Sequence, residues 1–380
     1  MSEILLGTGL LLLVLCCFTI FSYKAPYGMK AMGALANAAC ATFLVEAFNL
    51  SLLGDVLGME FFRSVGAANG SLGGVAAAIL VPLALGVSPV YAVLIGLSCL
   101  DFSILSGFVA GYFVSFLIKF IEKKVPPGVD LVVVILLCAP LSRLIASNVD
   151  PLVNSTLLQI GQVLIEATNI SPIIMGIILG GLITVVGTSP LSSMALTSII
   201  GLTGLPMAIG ALGAFGSAFM NSTLFAKLKL GSKKDIISVA IEPLTQSDII
   251  SANPIPIYST NFFGGAFSGI IVALMGLVNM TPGTATPVAG FAIMFAYNPV
   301  QQVLITAGLC ALFNVIAGFL GQNIQYLKVL TAGEIRGTDV GRRNCLKNNK
   351  IYKFIISSSR VLYCRQFYLI ANVLFFILCL

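Results

Sequence analysis

Gly187-Thr188-Ser189-Pro190-Leu191-Ser192-Ser193 and Glu242-Pro243-Leu244-Thr245-Gln246-Ser247-Asp248, the latter running on to Asn253-Pro254-Ile255-Pro256, interrupt a chain that is otherwise strongly apolar. In a water-soluble protein such stretches are ordinary loops. Here they lie among runs apolar enough to cross a bilayer, where an unpaired backbone group or a buried carboxylate costs on the order of several kcal/mol. Irregular backbone at that depth is tolerated where it is packed in protein or lines a polar cavity. The two breaks therefore predict broken helices that converge on a central polar site, the arrangement of a solute transporter or of a sensor built from one.

Composition supports the membrane reading. Hydrophobic residues make up 58% of the 380 and charged residues 9%, against roughly 25% charged in soluble domains. Glycine is abundant at 38 residues and tryptophan is absent, which suits close helix packing and leaves any interfacial belt to tyrosine and phenylalanine. The chain has no histidine, so it lacks an imidazole for proton shuttling, phosphotransfer or metal binding. None of its nine cysteines forms a CxxC pair, and no metal or cofactor site is expected. The net charge of +6 is gathered in short segments with no aromatic-basic face beside them, which points to anionic lipid and away from nucleic acid.

Apolar runs near 4–22, 32–50, 71–90, 91–118, 129–148, 171–187, 191–220, 262–280, 287–297 and 301–321 predict an all-α polytopic fold of roughly 8–11 transmembrane or re-entrant helices. Met1–Ser22 lacks the basic start of a secretory signal and is expected to be a retained first span. The runs near Gly73–Pro89 and Pro190–Met220 read as tilted, broken or re-entrant. Three basic clusters set the orientation: Lys119, Lys123 and Lys124; Lys227, Lys229, Lys233 and Lys234; and Arg336, Arg342, Arg343, Lys347, Lys350 and Lys353. The positive-inside rule places all three in the cytoplasm. Pro151–Thr168 has the spacing of an amphipathic helix at an interface or beside a cavity. After Cys345 the chain loses glycine, proline and acids, so residues 1–343 are expected to form the membrane domain and 344–380 an atypical basic and apolar tail.

Hydroxyl-rich ligands are held by planar or charged groups that pair with hydroxyls inside apolar walls. Glu242, Thr245, Gln246, Asp248 and Asn253 supply such groups in one break; Thr188, Ser189, Ser192 and Ser193 supply them in the other. Glu242 and Gln246 are the expected hydroxyl-binding pair, and Asp248 a second acceptor or a helix cap. Ser189 is expected to cap a helix that opens with Pro190. Asp101 is expected to cap the helix that follows it, and Arg143 to pair with a carboxylate or reach the headgroups.

Three stretches carry a family resemblance: Lys24–Phe48 (KAPYGMKAMGALANAACATFLVEAF), Gly70–Val93 (GSLGGVAAAILVPLALGVSPVYAV) and Ser171–Gly213, which includes GGLITVVGTSPLSSMALTSIIGLTGLP. Over about residues 24–343 the chain resembles the IIC membrane subunits of the bacterial sugar phosphotransferase system, close to the perfringolysin O regulator group. The resemblance implies a multi-pass protein of the bacterial cell membrane, expected to be a homodimer. It also implies that the protein translocates a sugar or polyol by alternating access, with phosphate arriving from separate IIB and IIA proteins. With neither histidine nor a phosphocysteine loop of its own, the chain is at most the membrane subunit of that phosphotransferase. The regulator group implies an alternative, a membrane sensor controlling gene expression. An ion-coupled transporter using Asp101 or Glu242 is the third reading of the same residues.

Overall fold

A computed structural model describes residues 2–189, 192–323 and 329–336; the expected tail at 344–380, its apolar run and all but Arg336 of the third basic cluster lie outside them. The described residues are mostly helical, with no strand among them. In chain order they form α1 (Ser2–Lys24), α2 (Gly28–Ala39, continued by wider π-type turns over Cys40–Leu44 and Ala47–Val56), α3 (Glu60–Gly70), α4 (Gly73–Leu85), α5 (Pro89–Ser98) and α6 (Ile104–Lys124). Then come α7 (Val129–Val133), α8 (Ala139–Ile170), α9 (Pro172–Thr188), α10 (Ser193–Ile199), α11 (Leu205–Leu228) and α12 (Lys233–Ile241). A 3₁₀ turn over Pro243–Gln246 leads to α13 (Ser247–Ala252), α14 (Pro254–Met275), α15 (Pro287–Tyr297), α16 (Val300–Gly321) and α17 (Ala332–Arg336).

Seven of these helical stretches are long and apolar enough to cross a bilayer, and α3 with α4, bent by 57° at Gly70–Gly73, makes an eighth. Three shorter apolar helices, α5, α9 and α15, join them. This is the all-α polytopic membrane fold that the hydropathy pattern predicts, and the breaks fall where glycine and proline interrupt the apolar runs. Proline opens α5, α9, α11, α14 and α15 within the first turn, where its missing amide costs nothing.

α9 and α14 form the tightest pair. They run antiparallel, with Gly176 and Gly180 of α9 facing Gly269 and Gly265 of α14 so closely that a Cβ on any of the four would strike the opposite backbone or side chain. One turn further on, Thr184 Oγ1 donates to the Asn261 carbonyl across the pair at 2.8 Å. Both faces have the small-xxx-small spacing that lets membrane helices touch backbone to backbone. α11 and α16 pack beside them through buried polar side chains. Asn261 and Asn221 exchange amide hydrogen bonds of 2.8 and 3.3 Å, and Asn314 donates to Ser268 Oγ at 2.7 Å.

Two expectations, for Asp101 and Arg143, need correction, and a third, for Pro151–Thr168, is extended. Asp101 does not begin a helix: it sits at φ 71° in a turn, and α6 starts after Ser103. The acceptor for that start comes from α8, where Asp150 Oδ1 takes hydrogen bonds from Ser103 N at 2.9 Å and Ser106 Oγ at 2.8 Å. Pro151–Thr168 is helical and flanks a cavity through Val153 and Leu158, as expected, but as the second half of α8, continuous through Pro151. Arg143 donates to the carbonyls of Ser98 and Leu100 at the end of α5 and stacks on Phe102, so its charge meets a helix C-terminus instead of a carboxylate.

Gly180→Leu should break the α9–α14 contact by overpacking, at a cost of about 1–3 kcal/mol or more. Gly308→Leu, on an open face of α16 with nothing within 4 Å, should be neutral. Melting of the purified protein in detergent measures both; equal melting temperatures for the two variants would contradict the pairing.

Candidate functional site

The antiparallel register of α9 on α14 fixes where the two polar breaks meet. Gly187–Ser193 follows the end of α9, and Glu242–Asn253 precedes the start of α14, so both arrive at the same level of the bundle. They share one cleft, lined among others by Thr184, Ser192, Ser193, Ser217, Glu242 and Thr286. Every hydroxyl-bearing residue in that set is buried. The cleft is nearly shut: its free volume of about 10 Å³ holds one water, whereas ligand pockets span roughly 300–1,000 Å³.

Local geometry explains each position. Ser192 holds φ 61° and caps α10, its Oγ accepting from Ala195 N at 3.5 Å. The cap is therefore Ser192 and not Ser189, whose Oγ turns back to the Val186 carbonyl at 2.8 Å; Pro190 lies outside the described residues. Ser193 Oγ donates to the Ala285 carbonyl at 2.6 Å, tying α10 to the loop before α15. Thr286, in that same loop, donates to Glu242 Oε2 at 3.2 Å. Glu242 terminates α12 in an extended conformation, which turns its partly buried carboxylate into the cleft. On the α10 side, the Cys40 thiol lies 3.9 Å from the sulfur of Met194, another residue of the lining.

The cleft is rich in acceptors. The protons of Ser193, Ser217 and Thr184 go to backbone carbonyls, and that of Thr286 goes to Glu242. The hydroxyl oxygens keep lone pairs that a donor can use, and the Glu242 carboxylate is a further acceptor in the same lining. A ligand bearing several hydroxyl groups fits this pattern, because each of its O–H groups brings a proton.

The structure brings Ser192, Ser193 and Glu242 together and sets the other expected residues outside the cleft lining. Thr188 is buried one turn from it and donates to the Thr184 and Val185 carbonyls. Thr245 is exposed and bonds back to the Glu242 carbonyl at 2.8 Å. Gln246 is buried behind the cleft, within reach of Thr245 Oγ1 at 3.4 Å, and Asp248 lies in the first turn of α13. Asn253 works as a clamp: it donates to the Ile249 and Leu330 carbonyls and accepts from Leu330 N at 2.8 Å. Thr184, Ser217 and Thr286 were not singled out from sequence. Thr281-Pro282-Gly283-Thr284-Ala285-Thr286-Pro287 has the same hydroxyl, glycine and proline character as the two chosen breaks, and that likeness would have found Thr286.

A multi-pass membrane protein with a polar cleft enclosed by broken helices belongs to the transporter class. The chain is a member of the phosphotransferase system EIIC family, whose model matches residues 29–335. It is thus a membrane subunit of the sugar phosphotransferase system, which in general handles a sugar together with IIB and IIA partners. No curated protein and no solved structure gives a significant match.

Asn253→Ala should release the 329–336 segment and destabilise the protein by about 1–3 kcal/mol, because buried backbone groups lose their partners. Thr245→Ala, at an exposed position, should stay within about 0.5 kcal/mol of the parent. Thermal melting separates the two, and an unchanged melting temperature for Asn253→Ala would remove the clamp.

Proposed function

We propose that this chain is the permease subunit of a phosphotransferase system and that its sugar or polyol binds in the cleft between α9, α10, α11 and the 281–287 loop. Glu242 and Thr286 are the central hydroxyl-binding pair, with Ser192, Ser193, Ser217 and Thr184 as the surrounding wall. The observation that carries this reading is the hydrogen bond of Thr286 to Glu242 inside a buried, hydroxyl-lined cleft. Carboxylates at membrane depth are costly and therefore mark functional sites. Thr286 donates to that carboxylate in the structure; a bound ligand hydroxyl would take the place of such a donor.

Of the residues named from sequence, Ser192, Ser193 and Glu242 would touch the ligand. Thr188, Ser189, Thr245, Gln246 and Asp248 would shape the breaks that present them. The cleft must widen to admit a sugar, which suits alternating access with the α10 and Glu242–Asn253 segments moving apart. A homodimer is part of this proposal, as are IIB and IIA proteins delivering phosphate from the cytoplasmic side. Resemblance to the perfringolysin O regulator group over Lys24–Phe48 and Gly70–Val93 favours a second reading, in which the same cleft binds a sugar and signals without transferring phosphate.

Membrane vesicles supplied with IIB, IIA, the general phosphoryl carrier proteins that charge IIA, and phosphoenolpyruvate should phosphorylate one member of a labelled hexose and hexitol panel. Glu242→Gln should lower kcat/KM about 10- to 100-fold, the loss of one charged hydrogen bond, with melting unchanged within a few degrees. Wild-type kinetics in Glu242→Gln would refute the site. Sugar binding with no phosphorylation across the panel would instead favour the sensor.

A further inference from the structure

A second cavity, of about 210 Å³, lies apart from the Glu242 cleft. Four parts of the bundle surround it: the α3–α4 bend at Ser71, the turn before α6 at Ser103, the α8 residues Val153 and Leu158, and the end of α10 at Ser198. Phe43, in the π-type continuation of α2, forms part of the wall. Most of the lining is apolar, with three serines set into it. The Ser198 hydroxyl is buried without a hydrogen-bond partner among the described residues, although buried polar groups nearly always have one. Turned toward the cavity that its residue lines, the hydroxyl would find that partner in a water or a ligand hydroxyl.

The two spaces share their walls. α10 has seven residues: its first turn, with Ser193 and Met194, lines the Glu242 cleft, and its last, with Ser198 and Ile199, lines the cavity. α2 repeats this pattern, since Cys40 meets Met194 while Phe43, about one turn on, faces the cavity. Gly283 seals the seam at φ 76°, where an added Cβ would lie 3.1 Å from that of Ser198 and 3.3 Å from that of Phe43. Ala285 and Thr286 of the same loop line the cleft. From Met194 to Ser198 is only about 6 Å along the helix, so the septum is one layer of side chains thick.

Depth follows from helix lengths. Lys119 belongs to a cluster that the positive-inside rule places in the cytoplasm, and its ammonium donates to the Leu85 carbonyl at 2.9 Å. At a 1.5 Å rise, Ile104 lies about 22 Å up α6 from Lys119, and Gly73 about 18 Å up α4 from Leu85. Both residues line the cavity, which therefore sits in the outer half of a hydrocarbon layer roughly 30 Å thick.

We propose that this cavity is an outer binding subsite for the sugar or polyol, an antechamber from which the ligand passes the α10 septum into the Glu242 cleft. The proposal rests on the reading of that cleft as the sugar site. Ser198, with Ser71 and Ser103, would hold ligand hydroxyls, and Phe43 would provide an apolar face for the ring.

Accessibility tests it independently of transport. Ser198→Cys, Leu158→Cys and Ser193→Cys are made separately in the full chain. A membrane-impermeant trimethylammonium methanethiosulfonate is applied to right-side-out and to inside-out vesicles, and modification at each position is read by peptide mass spectrometry. Ser198→Cys and Leu158→Cys should react about tenfold faster from outside than from inside, and Ser193→Cys about tenfold more slowly than either from outside, because thiol reactivity follows access. A mixture of aldohexoses and hexitols should slow modification of Ser198→Cys even with Glu242→Gln present, which isolates the outer subsite from the inner one. No modification from outside, faster modification from inside, or no protection by the mixture would each overturn the antechamber. Unimpaired phosphorylation by Glu242→Gln alone would instead count against the inner site.

Discussion

Between lipid-bathed helices there is no hydrophobic drive to associate, so contact must come from close packing and polar bonds. In this protein that contact is the seam of Gly176, Gly180 and Thr184 against Gly269, Gly265 and Asn261. Four missing side chains let two backbones touch, and the Thr184 hydroxyl locks their register. A slip of one turn would carry Thr184 about 5.4 Å along the axis, out of the cleft it now lines. Since α9 ends in one polar break and α14 begins after the other, the seam decides that these breaks arrive at the same height.

Around this seam the polar side chains divide their labour. Asn221 with Asn261, and Asn314 with Ser268, hold α11, α14 and α16 together in surroundings where water offers no competition. Ser193 and Thr286 use their protons to join α10, the 281–287 loop and Glu242. The hydroxyl residues whose bonds assemble the cleft also line it. Architecture and ligand chemistry are thus set by one group of hydroxyls, and this accounts for a cleft that is polar yet internally satisfied.

Much of the fold was legible because hydropathy and proline placement act locally. Pro172, Pro206, Pro254 and Pro287 each open a helix, and the runs that follow are apolar enough to mark it. The cleft was legible in outline: Glu242, Ser192 and Ser193 come from the two breaks read as polar interruptions. What escaped depends on distant partners. Asp150 caps α6 from another helix, so Asp101, the acid nearest in sequence, was the wrong choice. Asn253 offers good ligand chemistry, but the backbone at Leu330 claims its amide. Gly176-x-x-x-Gly180 and Gly265-x-x-x-Gly269 were visible as spacings, though only tertiary contact shows that they face each other.

The tightness of the Glu242 cleft has an energetic corollary. With space for a single water, the cleft as it stands excludes a sugar, so under the proposed reading of this site the observed affinity would be the intrinsic affinity diluted by the scarcity of the widened form. Substitutions that wedge α10 away from the 281–287 loop would then strengthen binding without adding any contact to the ligand. Residues that pack the empty protein best are, in this sense, competitive inhibitors built into the chain.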